Sequence, residues 1–175
     1  MSDFTQLRVR RIITGHDPDG KAVIAADEEL AGRGLAEDAG RSDATFFQLW
    51  ATNEMPVDLS DGAADVQRAG SMPTIVGNGR GSVLRIGVLA PGTRSPMHRT
   101  ESLDYGICLE GECVMETDGG DAVTVRAGDV VIQRGTNHVW HNVSDACCRF
   151  AWILLDAEPV VVGGHRLGAN WEHGR

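Results

Sequence analysis

Lysine is almost missing from this chain of 175 residues: Lys21 is the single one, set against 15 arginines and a formal charge of -9. The arginines are scattered, apart from "RVRR" at residues 8–11. A nucleic-acid footprint needs clustered positive charge, so that class of partner is excluded. The run itself alternates with Val9 and reads as the polar edge of a strand. No apolar run is long enough to span a bilayer, and "MSDFTQLRVRR" has no hydrophobic signal core. These absences predict a cytoplasmic protein. There is no C-x-x-C pair, which removes a thiolate zinc site. Cys108 and Cys113 lie in strand-like sequence, where free thiols act as small hydrophobes. Cys147 and Cys148 are adjacent, a poor basis for disulfides. Internal repeats are absent, and so is any strong helical period.

What is present suits one globular domain: 42% apolar and 23% charged residues in a chain long enough for one core. "LRVRRIITGHDPDGKAVIAAD" reads as two strands around a Pro- and Gly-bearing turn. Residues 28–42 are small, acidic and Gly-rich, predicting a long surface loop. "TFFQLWAT" is a strand, and residues 53–81 are predicted to be irregular. Beyond that, "GSVLRIGVLAPG", "DYGICLEGECVMET", "DAVTVRAGDVVIQRG" and "CRFAWILLDA" follow closely, separated by Gly-containing turns such as Asp118-Gly119-Gly120. Short strands at this spacing predict an all-β antiparallel sandwich or barrel. The predicted layout has strands and loops in 1–82 that complete the barrel, a barrel core in 83–158 and a tail in 159–175.

One stretch is chemically odd. In "APGTRSPMHRTESLDYGICLEGE", His98, Thr100 and Asp104 share even positions, so an extended chain points them to one side. An inward side should be apolar, yet this one carries an imidazole, a hydroxyl and a carboxylate. His138, in "AGDVVIQRGTNHVWHNVS", is placed on a later strand of the same sheet. Two imidazoles and a carboxylate inside a barrel make a set with open positions, suited to a divalent transition metal. Iron, manganese, nickel and zinc are the candidates.

The spacing resembles that of the cupin superfamily. Its first motif, G-x5-H-x-H-x3,4-E-x6-G, is met by Gly92, His98, Thr100, Asp104 and Gly111. Its second, G-x5-P-x-G-x2-H-x3-N, is met by Gly128, Gln133, Gly135, His138 and Asn142, one residue shorter before Gln133. The resemblance covers residues 83 to 155 and implies a double-stranded β-helix, a jelly-roll-like barrel. Thr100 stands at the second histidine and Asp104 at the glutamate. The three remaining ligands, His98, Asp104 and His138, resemble those of the ring-opening hydroxyanthranilate dioxygenases, which are also cupins.

Plainer roles compete with these. A core histidine can be satisfied by a hydrogen bond alone. Asp104 can pair with Arg85 or Arg99, since an unpaired buried carboxylate is costly. Thr100 fits better as a strand residue outside the ligand set. Thr100, Trp140 and Arg85 are candidate pocket residues, although a tryptophan in a barrel is more often plain core. Tyr105 and His141 should face away from the site, and His16, His165 and His173 should be solvated. The function expected is a metal-dependent enzyme acting on a small molecule as a dioxygenase, decarboxylase, lyase or isomerase. A non-catalytic binding barrel and a metal-free enzyme with a histidine base are the alternatives. The resemblance also implies a homodimer.

Overall fold

The "DPDG" turn closes as its residues require in the computed structural model, which describes residues 7–34, 43–60 and 81–171. Asp17 Oδ1 accepts from the Asp19 and Lys21 amides, each at 2.9 Å, and joins β1 (Arg8–His16) to β2 (Ala22–Ala31). β2 runs further than its composition suggests, so residues 28–31 are strand rather than loop. Cross-strand charge accounts for the extension. Arg10 binds Asp27 through two 2.7 Å bonds, and Arg11 Nη2 meets Glu28 at 2.5 Å. Arg11 also donates to the Leu49 carbonyl at 2.7 Å, tying the ribbon to the strand that holds Leu49. The predicted loops at 35–42 and 61–80 lie outside the described residues.

Two antiparallel sheets make the barrel. The first has six strands in the order β10 (Val130–Arg134), β7 (Ser102–Glu110), β12 (Cys148–Asp156), β5 (Ser82–Leu89), β4 (Ala44–Thr52) and β3 (Arg33–Gly34). The second has five: β15 (Asn170–Trp171), β6 (His98–Arg99), β11 (His138–His141), β8 (Glu112–Thr117) and β9 (Ala122–Arg126). A small ribbon of β13 (Val160–Val162) and β14 (His165–Leu167) follows. No helix occurs among the described residues. This is the all-β antiparallel barrel that the strand spacing predicts, and the double-stranded β-helix that the cupin resemblance implies. β4 is paired to β5, and the tail strand β15 is paired to β6.

Period-two burial packs the two sheets together. Ser102, Asp104, Gly106 and Cys108 of β7 turn inward, as do Cys148, Phe150, Trp152 and Leu154 of β12. Phe150 stacks on Trp152 with ring centroids 5.1 Å apart, and Trp140 of the opposite sheet meets Phe150 at 4.9 Å. Gly87 makes room for this stack, because a Cβ there would lie 2.4 Å from Trp152 and 2.8 Å from Phe46. Cys108, Cys113 and Cys148 fill the same core as free thiols. Burial pushes the Cys108 thiol up to about 12, so it packs as an apolar group. Gly111 must be glycine: its φ is +72°, and a Cβ would come within 2.6 Å of the Cys147 carbonyl oxygen.

Candidate functional site

His98 and Asp104 do not share a strand. The chain leaves β6 after Arg99 and enters β7 at Ser102, crossing from the five-stranded to the six-stranded sheet. Parity along one extended segment is therefore corrected to a sheet change. Local polarity accounts for it. Thr100 Oγ1 turns to the Asp104 carboxylate, and Glu101 accepts from Arg166 and from the Ala169 amide instead of continuing a ladder. His138 belongs to the sheet of His98, and the two are direct register partners.

This pairing stacks the imidazoles at 4.2 Å between centroids, tilted by 48°. His98 Nδ1 lies 2.9 Å from the Pro96 carbonyl oxygen, and His138 Nδ1 lies 3.0 Å from that of Thr136. A carbonyl only accepts, so each Nδ1 carries the hydrogen and each Nε2 carries the lone pair. The Gln133 amide nitrogen lies 3.1 Å from His138 Nδ1 and, both being donors, does not bond it but shares its acceptor, donating to the Thr136 carbonyl at 2.9 Å. It thereby holds the loop that orients the ring. Trp140 meets His138 edge-on at 6.2 Å and links the pair to the aromatic core. Burial lowers the His98 pKa and lowers that of His138 to about 4, the second also through its neighbour's charge. Both rings are neutral at pH 7, the form that binds a metal or accepts a proton.

Asp104 is held differently. Ser102 Oγ donates to its Oδ1 at 2.5 Å and Thr100 Oγ1 to its Oδ2 at 3.4 Å. Burial raises its pKa, with the Ser102 bond and Arg85 acting the other way. Neither Arg85 nor Arg99 forms an ion pair with it among the described residues. Arg85 is felt only as a nearby charge. No three His, Cys, Asp or Glu side chains among the described residues group closely enough to hold a metal ion. The imidazole pair thus fits two ligand positions of a divalent transition metal by its donor chemistry, and the carboxylate stands apart with its hydroxyls.

Tyr105 is half-buried on the alternate side of β7, and His141 faces outward to Arg94 and Glu116, as parity predicts. Trp140 is core that also touches the site. Sequence reading missed Ser102, Gln133 and Gln48. Ser102 shares the even parity of Asp104, a usable signal. Gln133 becomes informative only through its register pairing with Asp104.

Comparisons with known proteins bear on the fold that carries this half-buried His98 and buried His138. A cupin domain profile matches residues 85–154. The chain is 36% identical to the cupin-domain-containing oxidoreductase virC of Hypocrea virens, over 89% of this chain and 79% of that one. The chain belongs to the cupin family. This cupin is also 39% identical to phomopsin biosynthesis cluster protein C' of Diaporthe leptostromiformis, over 90% of this chain and 84% of the other. A solved structure, the polyketide cyclase RemF of Streptomyces resistomycificus, has a TM-score of 0.48 and 20% identity, covering 77% of the cupin and 74% of RemF. Among the described residues of the cupin, no helix is long and apolar enough to cross a membrane.

Proposed function

We propose that this cupin is a cytoplasmic enzyme of small-molecule metabolism, an oxidoreductase by analogy with the relative that bears that name. Its active centre is the pair His98 and His138. One observation carries the reading: two neutral imidazoles are locked in the same tautomer by backbone carbonyls and stacked 4.2 Å apart inside the barrel. Four free cysteines suit a reducing compartment.

We further propose that His98 and His138 would supply two ligands to a divalent transition metal such as iron, manganese, nickel or zinc, with Asp104 left to Ser102 and Thr100. When bound, that ion supplies a Lewis acid able to polarise a substrate oxygen. The chain's own residues do the remaining work. Pro96 and Thr136 fix the proton on Nδ1, Gln133 holds the Thr136 loop, and Trp140 keeps water from one side of His138. The same hydroxyls on Asp104, which leave two protein ligands, favour a second reading. There a neutral imidazole Nε2 takes a proton from the substrate without a metal.

Elemental analysis of protein purified without chelator separates the two. About one equivalent of transition metal, lost in His138→Ala and kept in Thr100→Val, is the expected result. Wild type that holds no metal, or His138→Ala that keeps it, refutes the ligand assignment.

A further inference from the structure

Arg85 has a structural oddity that the histidine centre does not use. It lies on β5 with Gln48 of β4 as its partner on one side and Trp152 of β12 on the other. The next position in the row, on β7, is Gly106. Arg85 is half-buried and shares the parity of the buried Val83, Gly87 and Leu89, which turns its side chain toward the barrel interior. Its Nε is buried with no hydrogen-bond partner. Its guanidinium lies 5.3 Å from the centre of the Phe46 ring. Asp104 acts on this guanidinium as a nearby charge and Phe46 as a flat face, yet neither bonds the Nε, and a buried donor left without an acceptor is costly.

Gln48 repeats the pattern with the opposite polarity. Its Nε2 donates to the Trp50 carbonyl at 3.2 Å, which fixes the amide so that Oε1 is the other end. That Oε1 is buried and has no partner. The register shift between Gln48 and Trp50 is a bulge, a device that re-aims a side chain. An unpaired donor and an unpaired acceptor therefore stand next to each other on neighbouring strands. They do not satisfy one another. Phe46 and Trp152 supply flat apolar faces beside them, and the Trp152 indole lies over Gly106, where a Cβ would come within 3.3 Å of its Nε1.

We propose that Arg85 and Gln48 are the recognition end of the pocket and bind a planar molecule through an anionic oxygen with a neighbouring hydroxyl. The oxygen, a carboxylate or phenolate, accepts from Arg85, and the hydroxyl donates to Gln48 Oε1. The proposal rests on the barrel interior being a small-molecule site and deepens it by naming the substrate class. It places the anchor on the six-stranded sheet and the reacting imidazoles on the five-stranded one. A charged anchor of this kind contributes orientation as well as affinity.

Salicylate, which is planar and carries a carboxylate beside a hydroxyl, is the probe, with benzoate lacking the hydroxyl and benzamide lacking the charge. Isothermal titration calorimetry is done on the protein as purified and again with EDTA. Wild type is expected to bind salicylate more tightly than benzoate, and benzamide about tenfold or more weakly. Arg85→Met should lose about tenfold or more of the salicylate affinity. Gln48→Leu should bring salicylate to the level of benzoate. If Arg85→Met does not fold, Arg85→Gln takes its place. Wild type that does not bind salicylate, or an Arg85 variant that binds it unchanged, overturns the proposal. Salicylate binding that needs Arg85 in protein that holds no metal as purified without chelator would sink the metal assignment alone. Metal binding without salicylate binding would sink this inference alone.

Discussion

Acid should destabilise this protein through His138 in a way that a single substitution reveals. A histidine in an unfolded chain titrates near about 6.5, whereas burial beside His98 lowers His138 to about 4. Between those values the unfolded state binds the proton and the folded state does not. Stability from the neutral ring is thus fully present above about 6.5 and is lost as pH falls toward about 4. At about 1.4 kcal/mol per pH unit the whole effect is ~3 kcal/mol, of which about 2 kcal/mol is felt by pH 5. His98, also lowered, acts in the same direction. Asp104 opposes them. Its pKa is raised, so its contribution is complete below the unfolded carboxylate value and fades as pH rises through the folded one. Both remain in His138→Gln, where an amide can still donate to the Thr136 carbonyl, so the difference between the two proteins isolates the one ring. Urea unfolding of both at pH 7 and pH 5, with EDTA to exclude metal, is the measurement. Wild type should lose about 2 kcal/mol more than the variant over that interval. Equal losses would refute the assignment of a buried neutral His138.

Asn142 is fully buried, donates to the Leu89 and Ala146 carbonyls at 3.0 and 2.8 Å, and accepts from the Ser144 amide and hydroxyl. Asn142→Leu should cost about 3 kcal/mol by stranding these groups, or about 6–12 °C in Tm by calorimetry; an unchanged Tm would contradict it. We also propose a homodimer, since the β1–β2 ribbon pairs with no other strand among the described residues and leaves Ile12 and Ile24 more than half exposed. Light scattering at micromolar concentration should read twice the 18.8 kDa chain mass, and a monomer would count against it.

Local chemistry by itself determined the elements. Asp17 and Gly20 close the first hairpin, and alternation through "SLDYGICLE" and "CRFAWILLD" sets which residues face inward. A period of two is a property of one strand, so it survives without knowledge of any neighbour. The same alternation misplaced His98. Two residues of β6 and nine of β7 look continuous in sequence, and nothing local marks the crossing between sheets at Thr100 and Glu101. Which strands lie side by side is a long-range matter. His138 meets His98 from 40 positions away, and Arg85 meets Gln48 from 37. Only the tertiary structure decided that the imidazoles stack, that Asp104 sits with its hydroxyls, and that a guanidinium and an amide oxygen are left facing the interior. Those outcomes follow from inter-strand register, and register is set by the packing of the whole barrel, not by any single segment.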